Sequence, residues 1–442
     1  MRIPLYPTSR PTRKLLPHQI PVLKYMMTTN TPALFIDMRL GKTILSIEYA
    51  IRKGLHRVLV IAPKSAFNSW EKELNHEGID NLKVTDSKTK EVLKRLQTAS
   101  WVITNPQKLA TWPFWRQRWD LVVVDESSRI KNARSKYFKE LMRHFSTVKH
   151  KLILSGTPTP ESILEAVPQL LFLHGLVLGC RSYWEFLARY TLKYGYDRIL
   201  YKSAREKLLN LLHSTCYFLS QKKAGVAQPV KRIRYMIPKN EQQKDLYRQL
   251  RNEFEMNIGD KHYETEYILT TLLWACRVAG GILDGNIINN KKFEVLLRLL
   301  NETSGSVVVW FRFNEELHYV HDQLNKLGIP CAAYYGDVSI EDRKTIETEF
   351  QKGTYKCILL QVKTGLYALD LSAANTAVYY SNSFSLEERI QSEKRISHPR
   401  KKHKLTYVDI LTKGWPDTTI YNALKRKNIS AKLIWEDRNN DI

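Results

Sequence analysis

The sequence predicts an α/β fold built as two lobes, each with its own parallel sheet. Three observations lead there. Short, largely apolar runs alternate with helical patterns at residues 33–36, 58–62, 101–104, 121–124 and 151–155. Continuous apolar strands separated by helices mark a parallel sheet covered on both faces. The alternation stops over residues 161–228, which read as helical and aromatic with no strand-like run. It resumes at 307–311, 331–335, 357–360, 376–380 and 405–409. Polar clusters stand at the ends of the first-half strands, where ligands bind in such sheets.

Length and composition agree with this division. A chain of 442 residues, 43% of them hydrophobic, is long enough for two or three cored domains. Lys and Arg number 69 against 44 Asp and Glu, a net charge of +25. Such an excess points to a polyanionic partner, with charge carried only for solubility as the plainer alternative. The five cysteines are scattered, odd in number and free of Cys-x-x-Cys pairs. That pattern argues against a zinc site or disulfide framework and for a reducing, intracellular setting. There is no run of about 18 apolar residues to span a membrane. No strongly basic amphipathic helix suggests a membrane surface either, and Met1-Arg2-Ile3-Pro4 lacks an apolar signal core.

Taken in order, residues 1–14 read as an extended basic arm, 15–160 as lobe one, 161–228 as a helical insertion, 229–290 as a second helical insertion leading into lobe two, and 291–442 as lobe two. Residues 231–237 are a candidate strand at the entry to lobe two. No accessory domain is expected after the last helix.

The chain is organised around Asp37-Met38-Arg39-Leu40-Gly41-Lys42-Thr43, between the 33–36 run and a helical pattern that starts at Ile44. Strand, loop, Gly-Lys-Thr and helix is the order a phosphate-binding loop needs. Gly41 lets the backbone approach a phosphate, and N–H groups at the helix start face the anion. Lys42 reaches toward β/γ-phosphates, and the Thr43 hydroxyl is a ligand for Mg²⁺. Only half of the usual pattern is present. Ile36 stands where the first Gly belongs, and Arg39 where a small residue is common. Asp125-Glu126 follows four apolar residues. An acidic pair at a strand tip suits nucleotide hydrolysis, Asp125 holding Mg²⁺ and Glu126 orienting the attacking water. An acidic turn is the alternative. Gln391 and Arg395 are four apart, on one helical face. The segment reads either as a solvated basic helix or as the carrier of an arginine for a transferring phosphoryl group. Gln19, a short helix upstream of the loop, has an amide suited to an adenine edge.

The order of these segments resembles a superfamily 2 helicase core, specifically the Swi/Snf-type ATPase branch, in a compact phage- or bacterial-like form. Gln19 matches the adenine-reading glutamine and residues 37–43 match motif I. Ala62-Pro63-Lys64 with Trp70 matches motif Ia, and Asp125-Glu126-Ser127-Ser128 with Ile130-Lys131-Asn132 matches motif II. Ser155-Gly156-Thr157-Pro158 matches motif III. Lys363-Thr364-Gly365-Leu366 through Asp370-Leu371 matches motif V, and Gln391 with Arg395 matches motif VI. The resemblance implies two RecA-like lobes and an ATP site made by Gln19, Arg39, Leu40, Gly41, Lys42, Thr43 and Ile44 on one lobe and Gln391 and Arg395 on the other. Lys42, Asp125, Glu126 and Arg395 are its catalytic group, and Thr43 and Asp125 its Mg²⁺ ligands. It also implies that Lys64, Thr104, Thr157, Lys363 and Thr364 line a nucleic-acid path. Two departures stand out. Ser128 replaces the His of motif II, and His398 stands at the second arginine of motif VI, leaving Arg400 as a speculative substitute.

The implied activity is an ATP-dependent DNA translocase or helicase acting on duplex or branched DNA through its backbone, with branch migration or fork remodelling as the specific form. Replication or recombination proteins are further expected partners, and the cytoplasm of a bacterium or phage-infected bacterium the expected place. An RNA helicase and a DNA-binding protein that uses ATP only as a switch are the alternatives. Trp101, Trp112, Trp115 and Trp119, among Arg116, Gln117 and Arg118, read either as base-stacking rings or as rings packed under a loop. His318 and His321 read as surface histidines.

Overall fold

The computed structural model describes residues 14–84, 89–194, 197–252, 255–258, 261–264, 267–365, 369–398, 401 and 403–436. Residues 1–13 of the expected 1–14 arm, and Arg400, lie outside them. The chain separates into two compact units, unit 1 made of Met1–Val226 with Ile429–Ile442, and unit 2 of Ala227–Asn428.

Unit 1 contains strands β1 (Ala33–Ile36), β2 (Val58–Ile61), β3 (Asn81–Lys83), β4 (Trp101–Thr104), β5 (Leu121–Asp125), β6 (His150–Ser155), β7 (Thr191–Tyr194), β8 (Asp197–Leu200) and β9 (Cys216–Leu219). Seven of them form one sheet in the order β3-β4-β2-β5-β6-β1-β9, and every pairing in it is parallel. Successive residues of a strand face opposite sides, and the two cores follow that period. Phe35, Leu59, Ile61, Val102, Val122, Val124 and Ile153 pack on one face. Leu34, Ile36, Val58, Val60, Trp101, Ile103, Val123 and Leu154 pack on the other. Both faces are therefore apolar, and the central strands β1, β2 and β5 read as near-continuous hydrophobic runs. Each such side chain, fully buried, stabilises the unit by roughly 1.5–3 kcal/mol.

The helices of unit 1 are α1 (Gln19–Met27), α2 (Lys42–Arg52), α3 (Phe67–His76), α4 (Lys90–Thr98), α5 (Lys136–Phe145), α6 (Ala166–His174), α7 (Tyr183–Tyr190) and α8 (Lys202–Thr215). Thr89, Ser135 and Ser182 cap α4, α5 and α7 by accepting a backbone N–H from the first turn. Helix α2 starts differently. Its cap is Gly41, at φ +87, a conformation that glycine adopts without a Cβ penalty.

Unit 2 contains β10 (Val230–Ile237), β11 (Glu255–Ile258), β12 (Lys261–Glu264), β13 (Ile282–Leu283), β14 (Asn286–Ile287), β15 (Val307–Phe311), β16 (Cys331–Tyr334), β17 (Cys357–Gln361), β18 (Thr376–Tyr379) and β19 (Leu405–Thr412). Its main sheet runs β10-β19-β18-β15-β17-β16, again parallel throughout. Val307, Val309, Leu359 and Val408 fill one side, and Val308, Trp310, Ile358 and Leu360 the other. Its helices are α9 (Glu241–Asn252), α10 (Ile268–Gly280), α11 (Lys291–Glu302), α12 (Asn314–Lys326), α13 (Ile340–Lys352), α14 (Val362–Gly365), α15 (Leu386–Ile396) and the part up to Asn428 of a last one over Asp417–Glu436.

The structure corrects the reading of residues 161–228 as a purely helical insertion. This stretch contains the β7–β8 hairpin and β9, which pairs with β1 at the edge of the first sheet. Strand β9 is only Cys216-Tyr217-Phe218-Leu219, a run too short to announce itself beside the helical pattern of α8. Lobe one therefore does not end at residue 160. Within 229–290 the candidate strand at 231–237 is found as β10, which pairs along its whole length with β19, and two hairpins accompany the expected helices. No helix among the described residues is long and apolar enough to cross a membrane.

Candidate active site

In unit 1 the parallel register brings three chemistry-bearing segments to one end of the sheet. Strand β6 lies between β1 and β5, so the loops after β1, β5 and β6 emerge side by side. They carry residues 37–43, Asp125-Glu126 and Gly156-Thr157-Pro158 respectively.

The loop after β1 is tightly held. Arg39 takes φ +65 and Gly41 φ +87, two left-handed residues that turn the backbone into the start of α2. A Cβ on Gly41 would stand 2.2 Å from the Gln19 Nε2. Gln19 is buried, its Nε2 donates to the Leu40 carbonyl at 3.2 Å, and its Oε1 accepts from the Leu16 N–H at 2.9 Å. The amide expected to read adenine thus braces the phosphate loop. The Lys42 Nζ donates to the Ile36 carbonyl at 3.0 Å, back across the mouth of the loop. Thr43 and Ile44 open helix α2, Thr43 half-buried and Ile44 buried.

Asp125 ends β5. Its Oδ2 accepts from the Trp70 indole N–H at 2.9 Å, and its Oδ1 accepts from the Glu126 N–H at 3.0 Å. Burial pushes its carboxyl above the usual range, against the pull of the Trp70 bond and the Lys42 charge. The Lys42 charge therefore reaches Asp125. Glu126 follows at φ +53, a left-handed conformation that costs a non-glycine residue of order 1 kcal/mol or more. The surrounding turn holds it there. Gly156, after β6, packs on Met38, whose backbone N would lie 3.6 Å from an added Cβ.

Several supporting residues carry no local sequence signal. The Ser127 hydroxyl donates to the Gln169 Oε1 at 2.7 Å. The Gln169 Nε2 donates to the carbonyls of Pro158 at 2.7 Å and Glu165 at 2.9 Å. Gln169, fully buried in α6, so ties the acidic turn to the segment after β6. Gln221, just past β9, donates from its N–H to the Asp37 carboxylate at 2.8 Å and from its Nε2 to the Met38 carbonyl at 3.2 Å.

Of the residues proposed for a nucleic-acid path, Lys64 and Lys363 are exposed and Thr364 half-buried, its hydroxyl donating to the Gln361 Oε1 at 2.9 Å. Thr104 is fully buried and Thr157 nearly so, so both hydroxyls face the interior here. Trp101 and Trp112 are fully buried and Trp119 nearly so, while Trp115 is 43% exposed. Three of the four rings are core. His318 is exposed and edge-on to Tyr335.

In unit 2, Gln391 and Arg395 lie on α15, capped by Ser385. A buried charge network fixes this helix to the sheet. Arg389 on α15 pairs with Asp409 on β19 at 2.5 Å and with Glu393 at 2.8 Å, over the Tyr379 ring. Arg232 on β10 grips the same Glu393 with two bonds, at 2.6 and 2.7 Å. These two guanidinium groups hold the Glu393 carboxyl at about 2, against the opposing effect of burial. Arg395 is half-buried, with Glu347 and Tyr334 in electrostatic reach. Its carbonyl accepts from the Leu371 N–H at 3.2 Å, joining the two segments that resemble motifs V and VI. His398 donates from its N–H to the Gln228 Oε1 at 2.7 Å.

Family comparison agrees with this arrangement. The family model described as SNF2-related domain matches residues 18–278. The chain belongs to the SNF2-related family. A helicase conserved C-terminal domain model matches residues 291–399. Among its relatives, the Caenorhabditis elegans chromodomain-helicase-DNA-binding protein 3 homolog is 24% identical over 93% of this chain and 26% of its own length. The Saccharomyces cerevisiae DNA repair and recombination protein RDH54 is 22% identical over 90% of this chain and 50% of its own. The chain thus spans between about a quarter and a half of these relatives. A solved SWI2/SNF2 ATPase core from Sulfolobus solfataricus, in complex with dsDNA, aligns over 98% of this chain and 95% of its own, with 20% identity and a TM-score of 0.45.

Proposed function

We propose that this protein is a nucleic-acid-dependent ATPase that translocates along duplex or branched DNA. One observation carries the reading: a left-handed Gly41 backbone, a lysine at the helix start and a desolvated Asp125 lie at the ends of β1 and β5, the two strands that flank β6 in unit 1. Lys42 leaves its carbonyl contacts to meet the β/γ-phosphates, while the N–H groups at the start of α2 face the same oxygens. Thr43 and Asp125 fit Mg²⁺, which takes few protein oxygens and keeps several waters. Each Asp125 oxygen already accepts one hydrogen bond and keeps lone pairs in reserve, and a divalent cation offsets the cost of its burial. The ion supplies charge neutralisation at the phosphates. Glu126 orients the attacking water, and Arg395 of unit 2 stabilises the charge that develops on the transferring group.

A polyanionic partner accounts for the net charge of +25. The family favours DNA, and the yeast relative's part in repair and recombination favours remodelling of branched intermediates, with branch migration as the specific form. ATPase rates across single strands, duplexes, forks, four-way junctions and duplex RNA test this. Stimulation by DNA duplexes and junctions is expected, together with displacement of a triplex-forming strand. Stimulation by RNA alone, or binding without turnover, would overturn it.

A further inference from the structure

The β7–β8 hairpin takes no part in the site described above, and its two faces differ in chemistry. Leu192 and Ile199 are direct cross-strand partners, as are Lys193 and Arg198. Because side chains alternate along a strand, the apolar pair and the basic pair lie on opposite faces. Leu192 is 56% and Ile199 53% exposed. A two-stranded ribbon gains little stability by itself, so an uncovered apolar pair on it does nothing for folding. Lys193 and Arg198 are also exposed, and like charges directly opposed destabilise a ribbon. Its base is nevertheless well anchored. The Thr191 hydroxyl donates to the Leu187 carbonyl at 2.6 Å, and the Arg198 Nη1 donates to the Thr191 Oγ1 at 3.1 Å. Exposed Lys202, Arg205 and Lys207 follow on the first turns of α8.

We propose that this hairpin is a second nucleic-acid contact, which recognises duplex ends and branch points. The Leu192–Ile199 pair packs on the bare face of a terminal base pair, and the basic face with the start of α8 holds the adjoining phosphates. Charge decides the occupant. A polyanion relieves the Lys193–Arg198 repulsion, whereas an apolar protein surface would bury it. Apolar side chains set against base planes are an established means of engaging unstacked steps. An intact duplex offers no such plane, so the apolar pair confers structure preference while the charges confer general affinity. The proposal rests on the DNA reading given above.

The test compares the full chain on a covalently closed duplex circle and on a forked duplex of equal length. Leu192→Ser/Ile199→Ser is expected to lose about tenfold in fork affinity and to keep both circle affinity and circle-stimulated ATPase. Leu192→Met/Ile199→Val should retain fork binding, which separates loss of the apolar face from damage to the hairpin. Lys193→Gln should weaken both substrates alike and lower the salt slope by about 0.9. Unchanged fork affinity, or equal losses on fork and circle in the serine variant, overturns the hairpin proposal alone. Self-association of the parent that the serine variant abolishes, with fork binding intact, overturns it in favour of a protein cover. A parent chain that binds neither DNA overturns the DNA reading and this proposal together.

Discussion

The Ser127 hydroxyl and the Gln169 side-chain oxygen lie 2.7 Å apart, both residues fully buried, one beside the acidic pair and the other on a helix 42 positions later. Gln169→Leu would strand the Ser127 hydroxyl and the Pro158 carbonyl, while the Glu165 carbonyl keeps its backbone bond as the cap of α6. Each buried polar group left unpaired costs about 1–3 kcal/mol. We expect a lower melting temperature and slower turnover, with nucleotide affinity little changed. Adding Ser127→Ala should recover part of the stability, because removing both partners is gentler than removing one. Thermal unfolding and steady-state kinetics of the single and double variants check this.

Lys42→Ala removes the cation that acts on Asp125 and, with it, the proposed phosphate ligand. ATPase turnover should fall at least about a hundredfold, while duplex binding stays close to the parent value because phosphate contacts elsewhere supply it. Filter binding and phosphate release on the same preparation separate the two effects.

Arg395→Ala should keep ATP binding and lose roughly 10³ in turnover. Arg400→Ala, made in parallel, should turn over normally. The reverse result would transfer the role to Arg400 and shift the register of that segment.

Glu316 gives a pH prediction. Its carboxyl is buried in unit 2, and burial pushes it up to about 7 from an ordinary value near 4.5. The Lys292 charge and the Ser381 hydrogen bond oppose the shift, Asp417 adds to it, and Arg312 opposes it. An acid whose folded-state value is raised contributes stability that is full below about 4.5 and lost as pH rises through about 7. The loss is on the order of 3 kcal/mol. Glu316→Gln should therefore melt close to the parent at acid pH and clearly above it near pH 8. A difference independent of pH would show that folding leaves the Glu316 carboxyl at its ordinary value.

Much of the fold was legible because its signal is local. Strands β1, β2, β4, β5 and β6 are near-continuous apolar runs, and Gly41-Lys42-Thr43 and Asp125-Glu126 stand at the ends of two of them. What escaped is non-local. Strand β3 is Asn81-Leu82-Lys83, too polar and short to stand out, and β9 is four residues against a helical background. Glutamine carries no periodic signal, so the bonds of Gln169 and Gln221 become visible only when distant segments meet. Gln19 was singled out for its amide chemistry, yet that amide is engaged with the backbone of Leu16 and Leu40. Thr104 illustrates a different limit, since a polar residue at a strand end can point inward as readily as outward.

The brace from β9 to the phosphate loop has a consequence for biosynthesis. Leu219 accepts the Asp37 N–H at 2.9 Å, and Gln221 takes the Asp37 carboxylate and the Met38 carbonyl. A nascent chain exposes its Gly-Lys-Thr turn long before these partners leave the ribosome. The turn therefore lacks the Leu219 and Gln221 partners until translation has passed residue 221, and the loop proposed to hold nucleotide is expected to reach its final shape only then.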